Sequence, residues 1–141
     1  MNFKRLIIIV VTMLAIPYLN ATGGQFSIYA HTYEKNIETH LQFTHGFYFS
    51  VQFLPNEVVR NGYGIYGVFN DTVFMLSLHK SYKFLNKDID DSEVLKADSI
   101  QHLSRINITQ FSSDQHTIYM RKRLDHEKIE NIQFKGKLGF W

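Results

Sequence analysis

The chain has 141 residues and carries 15 Lys and Arg against 13 Asp and Glu, a formal charge of +2. A balance this close to neutral gives no electrostatic case for binding nucleic acid or an anionic membrane. The complete lack of cysteine excludes disulfides, thiolate metal centres and thiol nucleophiles.

Lys4 and Arg5 precede Leu6–Ile16, an apolar run shorter than the ~20 residues a typical membrane helix needs. Pro17, Tyr18 and Asn20 break the run before the small residue Ala21. That order is the pattern of a secretory signal peptide, expected at residues 1–21 with cleavage after Ala21. A retained anchor is the alternative. Cleavage takes two basic residues from fifteen and leaves thirteen against thirteen, so the mature chain is formally neutral. Residues 22–141 then form a single secreted domain with no membrane span of its own. Export of a cysteine-free chain means that its stability comes from an ordinary core. Asn70-Asp-Thr72 and Asn107-Ile-Thr109 are candidate glycosylation sequons, whereas Asn20-Ala-Thr22 is cut by the expected cleavage.

Phe26–Tyr33 reads as the first strand of the mature chain, with Phe26, Ile28 and Ala30 on one face. Ile37, Thr39, Leu41 and Phe43 share a face of the next. After Gly46, residues 47–53 alternate without a break. Phe47, Phe49, Val51 and Phe53 are expected to face the core, and Tyr48, Ser50 and Gln52 to face solvent. Pro55 ends this strand. Asn61-Gly62 predicts a tight turn, and Gly64 and Gly67 within Tyr63–Phe69 predict a bulge or a close backbone approach. Asn70-Asp71 predicts a further turn. Thr72–His79 is nearly continuous apolar sequence, which suits a strand covered on both faces. Asn86–Glu93 reads as an exposed acidic loop and Ser92–Arg105 as a short amphipathic helix. Gln115–Leu124 alternates again, with Ile118 and Met120 inward and Tyr119 and Arg121 outward. In the last strand, Ile132, Phe134, Leu138 and Phe140 are expected in the core, opposite Gln133, Lys135 and Lys137, with Trp141 closing one end. Seven or eight short strands separated by turns, with no βα alternation, predict an all-β antiparallel sandwich.

No chemistry-bearing constellation stands out. The seven histidines are scattered, with no H-x-H or H-E-x-x-H spacing, so no metal or cofactor is implied. The acidic loop fails the EF-hand pattern because Asp91 stands where Gly is needed and Ala97 where Glu is needed. There is no G-x-S-x-G elbow and no paired carboxylate, so an enzyme is not expected. The aromatics Tyr48, Tyr63, Tyr66 and Tyr119 are read as outward-facing, the candidate binding patch.

Two stretches carry a family resemblance. Asn61-Gly-Tyr-Gly-Ile-Tyr-Gly-Val-Phe69 resembles the G-[WY]-x-x-x-G-F strand of the DOMON domain, and Thr117–Asp125 is similar to that family's late t-x-x-F-x-R-x-L strand, with Arg123 and Leu124 at the motif's Arg and Leu. The resemblance implies a secreted β-sandwich over roughly residues 37–141, in a family whose members bind haem or sugars. Two departures stand against haem. Thr72–Leu78 replaces the family's aspartate-rich segment, and no methionine lies early in the mature chain where a haem-binding member has its axial ligand. The expected function is a non-enzymatic secreted protein that recognises a carbohydrate or an extracellular protein. The alternatives are a barrel that carries a small apolar ligand, and a secreted effector, toxin or viral accessory protein acting on a host receptor.

Overall fold

The computed structural model describes residues 3–55, 57–85, 105–122 and 125–140. Helix α1 (Phe3–Thr22) leads into β1 (Gln25–Thr32), a 3-10 turn at Tyr33–Lys35, β2 (Ile37–Thr44) and β3 (Phe47–Leu54). There follow β4 (Val58–Phe69), β5 (Thr72–Phe84), β6 (Ile106–Phe111), β7 (Ile118–Lys122), β8 (Asp125–Ile129) and β9 (Gln133–Lys137). The expected acidic loop at 86–93, all of the expected helix at 92–105 except Arg105, and Trp141 lie outside the described residues.

Among the described residues there are nine strands, and all belong to one antiparallel sheet in the order β8-β7-β6-β5-β4-β3-β2-β1-β9. The all-β antiparallel expectation is therefore met, but with nine strands instead of seven or eight and one continuous ladder. The connectivity forces this ladder to curl. β8 and β9 sit at opposite edges, yet only residues 130–132 separate them in the chain. A flat sheet would hold those edges about 38 Å apart, whereas the link reaches about 15 Å at most. The sheet rolls into a half-barrel, and the rings of Phe111 on β6 and Phe134 on β9 meet at 5.4 Å. Opposite halves of one sheet thus face each other across the core.

The core lies on the concave side. Phe26 stacks on Phe43 at 4.2 Å and meets Tyr66 edge-on at 5.7 Å. Ile28, Ala30, Tyr48, Val68, Val73, Met75, Phe111, Ile118 and Ile132 complete it. The expected inward faces of β1, β2 and β7 are observed, and Ile132, Phe134 and Leu138 pack in or against the core as expected. Phe140 does not, since it is largely exposed.

Two expectations are corrected. Asn61-Gly62 is not a turn. Asn61 pairs with Val51 and Ser81, and Gly62 with Ser50 and Lys80, so ladders on both sides hold them extended within β4. The chain turns earlier, between β3 and β4, where Glu57 takes a positive φ of 59°. The expected glycine irregularity is present: a bulge falls between Tyr63 and Gly64, and Gly67 lies against the backbone of Pro17 and Tyr18. The second correction concerns β3, whose alternation is real but inverted. The His45-Gly46 turn pairs Phe43 with Tyr48, so Tyr48 shares the core face of Phe43. Phe47, Phe49 and Phe53 therefore point away from the core and remain 43–58 % exposed, with Val51 half-buried. Gln52, read as solvent-facing, lies on the concave side and donates to Thr39 Oγ1 at 3.0 Å.

Candidate binding surface on the convex face

The inversion of β3 creates the most unusual surface of the molecule. Register carries it across four strands. Phe47 lies beside Ile65, which lies beside Leu76, which lies beside Ile106. Phe49 lies beside Tyr63, which lies beside His79. Phe74 and the bulge residue Leu78 add to the same convex face. Seven of these large apolar side chains, from Phe47 to Ile106, are each 37–61 % exposed. From the size of such side chains, they present on the order of 700 Å² of apolar surface, above the roughly 300–600 Å² of the largest patch on a typical monomer.

At its centre is a shallow hollow of about 270 Å³, lined by Phe49, Asn61, Gly62, Tyr63, His79 and Ser81. Gly62 lines it with backbone alone, since a Cβ there would point to the concave side and meet Ser50 Oγ at 2.7 Å. The Tyr63 and His79 rings lie 5.4 Å apart and inclined by 32°, forming one wall. Asn61 and Ser81 supply an amide and a hydroxyl at the rim. The hollow is smaller than the ~300–1,000 Å³ of small-molecule sites and suits one anchoring side chain or one sugar ring.

The four tyrosines of the expected patch part company. Tyr63 stands in the hollow. Tyr119 is exposed on β7, with β5 and β6 between it and Tyr63. Tyr48 and Tyr66 are in the core, not outward, because their register partners Phe43 and Met75 are themselves buried. Burial raises the pKa of both phenols. For Tyr48 the effect is tempered by its hydrogen bond to Ser77 Oγ at 3.1 Å, and for Tyr66 by backbone hydrogen bonding at Gly46. Of the two sequons, Asn70 is exposed in the β4–β5 turn, while Asn107 is half-buried in β6 opposite Met75. Among the described residues no three His, Asp or Glu side chains gather as a metal site. His40 pairs instead with Glu38 at 2.8 Å, and His45 Nδ1 with the Thr22 carbonyl at 2.8 Å.

Sequence reasoning missed Phe47, Phe49, Phe53 and His79 as surface residues. The signal was present: two-residue turns tie strand faces together, and Phe43 in the core with a turn at 45–46 fixes Tyr48 inward. Compared with known proteins, the chain matches no family model and no curated sequence, so the DOMON resemblance rests on its two motifs alone.

Proposed function

We propose that the chain is an exported, non-enzymatic binding module that docks an extracellular protein through the convex face of β3–β6. The observation that carries this reading is the apolar convex face, exposed while the concave core is separately filled. A contiguous surface of this size and character is typical of a protein interface, and the hollow beside Tyr63 offers a central pocket for one anchor residue of the partner. The packed rings of Phe26, Phe43, Tyr66, Phe111 and Phe134 occupy the space that an apolar-ligand carrier would need.

A photo-crosslinking residue placed at position 63 of the exported protein is expected to capture a protein partner, while the same residue at position 135, on β9, captures none. Equal capture from both positions refutes the assignment of the face. A carbohydrate is the second reading, favoured by the polar rim of Asn61 and Ser81 beside an aromatic wall. Glycan-array binding abolished by Tyr63→Ala would assign the hollow to a sugar.

A further inference from the structure

The last turn of α1 is built into the domain. Asn20 and Ala21 are fully buried. The Asn20 side chain donates to the Val68 carbonyl at 3.1 Å and accepts from the Phe140 backbone N–H at 2.7 Å, tying the helix to β4 and to the C-terminal segment. The Ala21 carbonyl accepts from the buried Tyr66 hydroxyl at 3.1 Å. Pro17 and Tyr18 lie against Gly67, where an added Cβ would come within 3.0 Å of the Pro17 side chain. A signal peptidase would have to cut next to Ala21, inside this packing.

The rest of the helix has the opposite character. Leu6, Ile7, Ile8, Ile9, Val10 and Val11 are six consecutive residues, all 42–63 % exposed. Six in a row cover every side of a helix, so neither a groove on one side nor an interfacial position with a wet face accounts for them. Only hydrocarbon satisfies a helix that is apolar all round. Phe69 and Phe140 are each at least half exposed, and each adjoins in sequence a residue that touches the helix's last turns.

We propose that α1 is not removed but stays as a membrane anchor, locked by its last turn into the β-domain, which it holds directly against the bilayer. Phe3–Leu19 spans about 25 Å, at the short end for a ~30 Å hydrocarbon core, so the membrane thins locally or Lys4 and Arg5 extend to the interface. Those two cations set the N-terminus on the cytoplasmic side and the β-domain outside. The orientation rests on the export reading above; retention of the helix does not.

The test is translation of the full chain with microsomal membranes, followed by alkaline extraction and intact mass. The expected product stays in the membrane pellet with residues 3–21 present. A soluble chain that begins at Thr22 overturns the proposal. Asn20→Ala, which unties the last turn, is expected to open residues 20–24 of the membrane-bound chain to added protease, while the unchanged chain resists there. Equal resistance of the two means that the last turn is not locked into the β-domain, and that part of the proposal fails. Sidedness is read separately from a glycan that disappears in Asn70→Gln. A membrane-bound, uncleaved chain without that glycan refutes the export reading and leaves the anchor standing.

Discussion

Phe26→Ala and Phe49→Ala form the most direct test of which face of the sheet is the core. Phe26 is 2 % exposed and touches four other aromatic rings, those of Phe43, Tyr66, Phe111 and Phe134. Its truncation removes a whole ring and leaves a cavity that neighbours on four strands cannot close, a loss of about 4 kcal/mol within the usual 3–5 for Phe→Ala. Phe49 is 47 % exposed. It loses only part of the transfer energy and leaves no enclosed void, so about 1 kcal/mol is expected. Unfolding entropy near 2.1 cal/mol/K per residue over about 120 residues converts these to drops in Tm of about 16 °C and 4 °C. Thermal unfolding followed by far-UV circular dichroism reads both on the isolated protein. Equal losses would refute the reasoning, because they would mean either that β3 is turned over by one residue or that the convex face is covered within the single molecule.

Gly64→Ala is expected to cost about 3 kcal/mol or more, seen as a fall in Tm or soluble yield, since its Cβ would lie 2.0 Å from the Leu76 carbonyl oxygen, a backbone atom that cannot swing aside. Gly62→Ala meets the Ser50 hydroxyl instead, and should cost clearly less in the same measurement. Tyr48 and Tyr66 have folded pKa values raised by burial, so the stability they contribute is present below the ordinary tyrosine pKa and is lost as the pH rises through the folded values. Spectrophotometric titration should show these phenols ionising above the ordinary tyrosine range, or only with alkaline unfolding. In an exported chain Asn70 should carry glycan and Asn107 none, because Asn107 sits in a paired strand. Mobility shifts of Asn70→Gln and Asn107→Gln check this.

Local geometry was legible wherever neighbouring residues decide it. The alternation of Phe26, Ile28 and Ala30 gave the core face of β1 correctly, Asn70-Asp71 is the turn expected, and Gly64 marks the bulge. Period-2 alternation does not reveal which of two apolar faces is covered, and β3 offers phenylalanines on one face and Tyr48 on the other. Composition favours the phenylalanines; register with Phe43 overrules it. Asn61-Gly62 has the chemistry of a turn, but long ladders with β3 and β5 outweigh a dipeptide preference. The run Thr72–His79 reads as a strand covered on both faces, and within the single chain only Val73, Met75 and Ser77 of it are buried. Its other face supplies Phe74, Leu76 and Leu78 to the candidate surface, which local sequence could not distinguish from core.

The pairing of β9 with β1 has a consequence for how the molecule is made. The first strand to emerge during synthesis waits for the last before one of its edges is closed, and Asn20 waits for Phe140, 120 residues later in the chain. Contacts of such long sequence separation form late and slowly. A chain halted near residue 130 would expose the β1 edge and the rings of Phe26 and Phe111, an invitation to pair with other chains. The nascent domain therefore has to be shielded until β9 and the segment through Phe140 have emerged, and their docking onto β1 and Asn20 is the event that commits it to the native state.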